Sequence, residues 1–333
     1  MLIAGRPERT MTYGIDRDTL SRLYETMLTI RFFEDRTVAL YPAQEMKCPV
    51  HLCIGQEAIA AGVCAHLRKD DYIFSTHRSH GHCIAKGMDL KLLAAELYGK
   101  STGCSRGRGG SMHLVDPEHG IPGTTAIVGG CIPVATGAAL SCAMKGDGKV
   151  SVAFFGDGAV DEGSFHESLN FASLRKLPVV FVCENNFYAT NSPQSARQPA
   201  VNIAERAAGY GMPGRYEDGN DVLRVYIAAE EAVGRARAGG GPTLLEFTTY
   251  RWKAHVGPNS DIESGCRPSA AHEEWVRRCP LDMYEQYLIN HNILTEDDIE
   301  KLTCVIKARI EEAMKFGQDS PWPGPSELLD EVY

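Results

Sequence analysis

The chain has 333 residues, of which 44% are apolar and 23% are charged. These proportions predict a folded protein with a sizeable core and exclude wholesale disorder. The formal net charge of -9 argues against nucleic-acid binding, because that function depends on Lys and Arg side chains that neutralise phosphates. The charge does not exclude a small anionic ligand, since a local Arg or a helix N-terminus can dominate its own site.

The chain contains 11 cysteines. They are scattered, none forms a Cys-x-x-Cys pair, and several lie in apolar runs. This pattern is typical of reduced, buried cysteines in a cytoplasmic protein. The sequence shows no secretory leader, and no apolar run approaches the roughly 20 residues that a membrane-spanning helix needs. We therefore expect a cytoplasmic protein that does not enter a membrane.

The first half of the chain alternates helical periodicity with short apolar stretches. Helical spacing predicts helices over residues 17–41, 56–67 and 89–98, and an apolar stretch predicts a strand over 72–74. Asp16 or Asp18 is a candidate cap for the first helix. Residues 99–110 are rich in Gly and Arg but lack the Lys-Ser/Thr ending of a phosphate-binding loop, so they predict a structural connection. Residues 126–144 are mostly small and apolar, which predicts a tightly packed helix.

The middle of the chain carries the strongest signal of fold class. An apolar run at 150–155 predicts a strand, a helical pattern follows from Asp161 to Leu177, and Pro178 ends it. A second apolar run at 179–183 predicts another strand. Strand, helix and strand in this order favour a βαβ crossover in a buried parallel sheet. We therefore expect an α/β fold with a doubly wound, mostly parallel sheet flanked by helices.

The last third predicts a helix over residues 222–238, a strand over 243–250 and further helices from Pro280 and over 297–316, followed by a Pro-rich tail. Residues 254–272 are rich in Gly, Pro and Ser, which predicts a long loop, and loops of that length are usually functional. We divide the chain into an N-terminal helical arm (1–45), a ligand-binding α/β domain (46–275) and a C-terminal helical segment (276–333).

Two polar side chains directly follow the two central strands. Asp157, between Gly156 and Gly158, follows the first strand, and Asn186 follows the second. Ligands of parallel α/β sheets bind at the carboxyl edge, where both loops emerge. One carboxylate and one amide oxygen suit Mg2+, which completes its shell with phosphate oxygens and water. Each pattern alone is a common turn or loop start, but together they predict a metal site that carries a diphosphate.

The pairing of Gly156-Asp157-Gly158 with Asn185-Asn186 resembles the thiamine diphosphate fingerprint. Further segments resemble the alpha subunit of the decarboxylating component of 2-oxo acid dehydrogenase complexes, a family that includes pyruvate, branched-chain and acetoin dehydrogenases. These segments are 50–52, 55–58, 77–81, 107–113, 127–130, 250–251 with His255, and the tail from 320 to 333. The resemblance covers nearly the whole chain from about Leu20, and it implies the thiamine-diphosphate-binding fold.

The resemblance implies a role for individual residues at the cofactor. Asp157 and Asn186 would ligate Mg2+, with the backbone carbonyl of Tyr188 as a third protein ligand. Arg78 and His255 would contact the diphosphate. Backbone groups would complete the cofactor site, at Gly158 and Ala159 for the diphosphate and at Ala126 and Val128 for the aminopyrimidine.

Three histidines have implied catalytic roles. His51 and His80 would line the substrate approach, and His255 would help proton transfer near the thiazolium ring. A metal cluster is a possible interpretation of four histidines around the first predicted strand, but ordinary polar lining is the better one. These histidines are His66, His77, His80 and His82. The sequence also departs from the family: His77 stands where many relatives have Tyr, and Ala126 where many have Gly.

The resemblance implies a partner as well as a reaction. The glutamate that activates the cofactor lies on a separate beta subunit in this family, so we expect two alpha and two beta chains with the active site between unlike subunits. A lipoyl-bearing acyltransferase is a further implied partner. Two alternatives stay open: a related ligase or transferase that uses an aldehyde or sugar acceptor, and a cofactor-free paralogue.

Overall fold

The computed structural model describes residues 13–46, 48–199, 202–263 and 265–329. Within these ranges it contains a six-stranded sheet in the order β2-β1-β3-β4-β8-β7, in which every neighbouring pair is parallel. The strands are β1 (Tyr72–Ser75), β2 (Gly123–Thr124), β3 (Ser151–Gly156), β4 (Val179–Asn185), β7 (Gly214–Asp218) and β8 (Thr243–Thr248). A separate antiparallel ribbon pairs β5 (Tyr188–Ala189) with β6 (Ser192–Pro193). The predicted α/β fold with a parallel sheet is confirmed.

Helices cover the sheet on both faces. They are α1 (Arg17–Leu40), α2 (Glu57–Cys64), α3 (His80–Lys86), α4 (Leu90–Leu97), α5 (Cys131–Lys145), α6 (Gly163–Arg175), α7 (Val222–Arg237), α8 (Ser269–Arg277), α9 (Pro280–Asn290) and α10 (Glu296–Asp319). The Asp16 carboxylate caps α1 by accepting from the backbone N–H of Thr19. Among the described residues, no helix is both long and apolar enough to cross a membrane.

The alternation of side chains along the central strands explains the two covered faces. Val152 and Phe154 of β3 point into a core shared with α1, α2, α7, α9 and α10. Ala153 and Phe155, one position further along, point into a second core shared with α5 and α6. Strands buried on both faces are typical of doubly wound parallel sheets. The division into arm, domain and C-terminal segment stays a prediction; in the structure α1 and α10 pack on the same core as the sheet.

The Gly-rich segment at 99–110 is organised around one carboxylate. Glu96, fully buried at the end of α4, accepts hydrogen bonds from the backbone N–H groups of Ser105, Gly107, Gly109 and Gly110 at 2.8–2.9 Å. The amides that a phosphate-binding loop would offer to a ligand are therefore already occupied. This geometry agrees with the predicted structural connection.

Several predicted boundaries were wrong for local reasons. The helix predicted from residue 126 begins at Cys131, because Gly129 adopts a left-handed φ of 76° that a helix cannot contain. The segment predicted as a loop to 272 ends earlier, since α8 begins at Ser269. Residues 80–86, for which no element was predicted, form the short helix α3.

Candidate functional site

Most of the predicted site residues line one cleft at the carboxyl edge of the sheet. From β1 the chain crosses to β2 on one side and then returns to β3 on the other, so the order of strands reverses between β1 and β3. Such switch points leave a crevice in which ligands of open α/β sheets bind. The crevice here, called the site cleft below, has a cavity volume of about 90 Å³. Its lining comprises Gln56, Thr76, His77, Arg78, Val128, Gly129, Gly156, Asp157, Gly158, Ala159, Glu184, Asn186, Tyr188, Ala189, Thr190 and His255.

Asp157 begins a short 3-10 helix, Asp157–Asp161, directly after β3. Its side chain is 1% exposed and forms an ion pair with Arg197, whose second terminal nitrogen pairs with Asp161. Gln198 secures the same segment, because its amide donates to the backbone carbonyl of Asp157 and to Asp161, each at 2.9 Å. Burial raises the pKa of Asp157, and the charge of Arg197 opposes that rise. The carboxylate thus lies in a position that needs a neighbouring cation.

Asn186 follows β4 and is joined to the opposite wall of the site cleft. Its Nδ2 donates to Oε1 of Gln56 at 3.0 Å, and its Oδ1 accepts from the backbone N–H of Tyr188 at 3.3 Å. The Nε2 of Gln56 is buried and has no hydrogen-bond partner among the described residues. A buried donor without a partner is costly, so this amide indicates that a polar ligand belongs in the cleft.

The turn after β3 brings backbone close to the ribbon that follows β4. A Cβ built on Gly158 would lie 2.8 Å from Cβ of Ala189, closer than real side-chain contacts allow. Gly158 therefore permits the backbone of 157–159 to approach β5, which carries Tyr188. The backbone of Gly158 and Ala159 lines the cleft in consequence.

Three buried arginines place positive charge at the cleft and close to it. Arg78 is 6% exposed and donates to the backbone carbonyls of Leu52 and His255, and among the described residues it pairs with no carboxylate. Arg251 and Arg267, both buried, share the single carboxylate of Asp261 at 3.0 and 3.3 Å. Burial, with repulsion from Arg78 and Arg267, lowers the pKa of Arg251 to about 9. Three buried guanidinium groups with one carboxylate fit a site for an anion.

His51, His77 and His255 pack against one another beside Arg78. Their ring centroids are 4.6 Å apart for His51 and His77, 5.3 Å for His51 and His255, and 5.2 Å for His77 and His255. Burial, aided by repulsion from Arg78, lowers the pKa of His51 to about 3, of His77 to about 2 and of His255 to about 4. All three imidazoles are therefore neutral at pH 7, and each has one ring nitrogen that can accept a hydrogen bond.

Three predicted site residues do not line the cleft: His51, His80 and Ala126. His51 packs against His77 and His255, which do line it. His80 is fully buried in α3, where its ring nitrogens bond to Glu34 at 3.2 Å and to Ser111 at 2.8 Å. Ala126 is half-buried in the segment after β2, beside the cleft-lining Val128. His80 thus belongs to a buried hydrogen-bonded network with Glu34 and Ser111, whereas His255 lines the cleft. The role of His80 on the substrate approach stays a prediction.

Sequence reasoning assigned no role to several cleft residues, among them Gln56 and Glu184, or to the neighbouring Arg197. Gln56 lies within the 55–58 motif. Glu184 is the second-last residue of β4, and its Oε1 lies 3.2 Å from Nε2 of His82, whose Nδ1 in turn bonds to Oγ of Ser75 at 2.8 Å. Arg197 was missed because nothing in its local sequence marks it. The partner of Asp157 lies forty positions along the chain, and that pairing depends on tertiary structure.

The donor set fits a ligand that joins an anion to a cation. Asp157 carries a cationic partner, and within the described part of the chain the Nε2 of Gln56 has no hydrogen-bond partner and Arg78 pairs with no carboxylate. A diphosphate with a bound Mg2+ ion presents both charges together, and such ions are usually held by one or two protein oxygens plus phosphate. The residues present therefore fit a metal-bound diphosphate.

Comparison with known proteins gives a consistent result. The family model described as "Dehydrogenase E1 component" matches residues 25–326. The chain is 46% identical to the alpha subunit of acetoin:2,6-dichlorophenolindophenol oxidoreductase from Bacillus subtilis, over 93% of this chain and 92% of that one. It is 42% identical to the chloroplastic pyruvate dehydrogenase E1 component subunit alpha-3 of Arabidopsis thaliana, over 93% of this chain and 73% of that one. It is also 38% identical to the corresponding acetoin oxidoreductase subunit of Cupriavidus necator, over 96% and 95% of the two chains.

Proposed function

Because the chain belongs to the dehydrogenase E1 component family, we propose that it is the alpha subunit of a thiamine-diphosphate-dependent dehydrogenase. The enzyme cleaves acetoin or a small 2-oxo acid such as pyruvate and passes the acyl fragment to an acceptor such as lipoamide. The observation that carries the proposal is the convergence of Asp157, Asn186 and Arg78 on one cleft. Relatives named for acetoin and for pyruvate support both substrate classes.

The cofactor would be held by residues already placed in the site cleft. Asp157, Asn186 and the backbone carbonyl of Tyr188 would ligate Mg2+. Arg78 and His255 would contact the diphosphate, together with backbone N–H groups at Gly158 and Ala159. The segment after β2, with Ala126 and Val128, would contact the aminopyrimidine. These assignments rest on the position of each residue at the cleft or its rim and on the chemistry of the donors.

The residues of this chain supply binding, orientation and proton handling. When bound, thiamine diphosphate supplies a carbon nucleophile and an electron sink for breaking the substrate carbon–carbon bond. Arg78 neutralises phosphate charge in a setting from which water is largely excluded, where such contacts are strong. His255 and His51 are neutral, and the arrival of an anion near Arg78 would raise their pKa values, so they would become better bases once the site is filled.

The beta subunit would complete the site from the open side of the cleft. Ile127 is 69% exposed and Val128 49% exposed beside the cleft, an apolar surface that a partner chain would cover. In this proposal the partner brings the activating glutamate, and two alpha chains assemble with two beta chains. A lipoyl-bearing acyltransferase would receive the acyl group.

The test is reconstitution. The chain is purified alone and with its beta subunit, then assayed with acetoin, pyruvate and branched 2-oxo acids, using 2,6-dichlorophenolindophenol as electron acceptor. We expect turnover of one substrate class, dependent on thiamine diphosphate, Mg2+ and the beta chain. Binding of thiamine diphosphate without turnover of any of these substrates would favour the ligase or transferase alternative. Absence of binding in the reconstituted protein would favour the cofactor-free paralogue.

A further inference from the structure

The three-histidine cluster of His51, His77 and His255 is more than polar lining. One ring nitrogen from each histidine can be chosen so that all three lie within 4.8 Å of one another. We propose that this cluster is a second metal site, which binds a first-row transition metal ion such as Zn2+ or Co2+ in the cofactor-free chain. The site is distinct from the oxygen ligands of Asp157 and Asn186.

The geometry is close to that of a bound ion. Nitrogen ligands about 2.1 Å from a tetrahedral ion lie about 3.4 Å from each other. Small rotations of the three side chains would bring the ring nitrogens from within 4.8 Å of one another to about 3.4 Å. His77 and His255 line the site cleft, so an ion can enter from solvent, and its fourth position would face the cleft. A water molecule or an anion would occupy that position, as in open three-histidine sites.

The chemistry selects the class of metal. Imidazole nitrogen suits Zn2+, Co2+, Ni2+ and Cu2+, whereas Mg2+ prefers oxygen ligands. The Nδ1 of His51 is buried and has no hydrogen-bond partner in the described parts of the chain, so one ligand atom is uncommitted.

Two neighbouring cations oppose the ion, because Arg251 as well as Arg78 repels positive charge on all three histidines. The guanidinium of Arg78 donates to the backbone carbonyl of His255 at 3.3 Å and places a positive charge beside the cluster. The affinity should therefore be lower than in three-histidine sites without a neighbouring cation, and an anionic fourth ligand should raise it. The oxidation state of the metal does not change, and no bond of the protein is broken.

His77 completes the cluster, because it supplies a third ring nitrogen beside two residues to which the family resemblance already gives roles. A phenol in its place would remove the third nitrogen ligand. Since His255 also lines the cleft that would hold the diphosphate, a bound ion would compete with the cofactor. This consequence rests on the proposed function, but the metal site itself does not.

The test uses Co2+, whose visible ligand-field absorption reports coordination number without any enzymatic assay. Metal-free chain is titrated with CoCl2 in the presence of excess Mg2+ and without thiamine diphosphate. We expect one Co2+ per chain with the strong absorption of a four-coordinate ion, displaced by Zn2+. The variants His77→Tyr and His51→Gln should each weaken binding at least about tenfold, the lower end of the loss seen when even a supporting group of a metal site is removed. The matched control is His166→Gln. His166 is not part of the cluster, and its imidazole bonds to the hydroxyl of Tyr210 at 2.6 Å. This variant should bind Co2+ as the parent chain does.

Two results would overturn the site: no four-coordinate absorption, or an unchanged spectrum in both cluster variants, which would mark Co2+ as bound elsewhere. If circular dichroism shows that His77→Tyr does not fold, the Co2+ titration of His51→Gln decides whether the cluster binds the metal. Competition is measured separately, as the effect of Zn2+ on thiamine diphosphate affinity. We expect Zn2+ to weaken thiamine diphosphate binding in the parent chain but not in His77→Tyr. If Zn2+ does not weaken binding in the parent chain, the metal does not compete with the cofactor. The Co2+ spectrum still decides whether the metal site exists.

Discussion

The guanidinium of Arg197 is hydrogen-bonded to Oδ2 of Asp157, the carboxylate proposed to hold Mg2+. The same guanidinium reaches Asp161 through its other terminal nitrogen. Asp157 is 1% exposed, so its charge needs a cationic partner whenever no metal is bound. Arg197 supplies that partner. When a metal ion binds Asp157 in place of Arg197, the guanidinium keeps its ion pair with Asp161.

This relationship predicts that Arg197→Met tightens metal binding. Removing the competing cation leaves Asp157 free for the ion, so the affinity for Mn2+ in the presence of thiamine diphosphate should rise severalfold. The metal-free variant should lose about 1–3 kcal/mol of unfolding free energy, less than for a fully enclosed pair because Arg197 keeps some exposure. Electron paramagnetic resonance of free Mn2+ measures the first effect and urea unfolding the second. Weaker Mn2+ binding would instead mean that Arg197 orients Asp157 for the metal.

Asp157→Ala should abolish metal-dependent cofactor binding while the chain remains folded. The variant removes the only carboxylate among the proposed ligands, and a charge-assisted contact to a metal has no replacement nearby. Asp161→Asn is the matched control, because Asp161 lies on the same 3-10 helix but does not line the cleft. Calorimetric titration with thiamine diphosphate and Mg2+ should show a large loss for the first variant and a small change for the second. Equal affinity in both would refute the assignment of Asp157.

Asp261→Asn should destabilise the chain, because it leaves buried positive charge without its carboxylate partner. Arg251 and Arg267 would lose the carboxylate they share, and breaking a buried pair typically costs about 3–5 kcal/mol. Inorganic pyrophosphate should then raise the melting temperature more in the variant than in the parent chain, since the anion replaces the lost charge. Glu312→Gln, which removes an exposed pair with Lys91, should change little. An equal response of the parent and Asp261→Asn to pyrophosphate would argue against an anion site here.

The meeting of Asp157 and Asn186 at one cleft was predictable because strand ends are local features. Asp157 and Asn186 each follow an apolar run, and parallel strands place their carboxyl ends on one edge. The strand order was not predictable: β2 has two residues, and β7 (Gly214–Asp218) is an edge strand without an apolar run. The position of His80 also depended on tertiary structure, since α3 turns it toward Glu34. The pairing of Arg197 with Asp157 had no local sequence signal.

The histidine cluster predicts a pH dependence of stability. In the folded state the pKa values are about 3, 2 and 4 for His51, His77 and His255, against about 6.5 in the unfolded chain. Between about pH 6.5 and 4 the unfolded state binds more protons, so stability rises with pH and is lost as pH falls below 6.5. Each histidine contributes a slope of at most about 1.4 kcal/mol per pH unit. Urea unfolding across this range should show a flatter profile for His77→Gln, and an identical slope would contradict the burial of a neutral imidazole.

Gly158→Ala should weaken cofactor binding through the ribbon that carries Tyr188. The new methyl would lie 2.8 Å from Cβ of Ala189, so β5 must move, and the Tyr188 carbonyl proposed as a metal ligand must move with it. Overpacking of this kind costs about 1–3 kcal/mol, or about 5- to 150-fold in affinity if all of it falls on the bound state.

Ala189→Gly provides the corresponding rescue. Once that methyl is removed, the nearest remaining atom is Cα of Ala189 at 3.6 Å, an ordinary contact. The double variant should therefore recover most of the affinity for thiamine diphosphate and Mg2+, and the non-additivity measures the contact. Gly156→Ala serves as a control for stability, because a Cβ there meets its nearest atom at 4.0 Å. If Gly158→Ala binds weakly and Ala189→Gly restores nothing, the loss must come from the methyl contacting the cofactor itself rather than from displacement of β5.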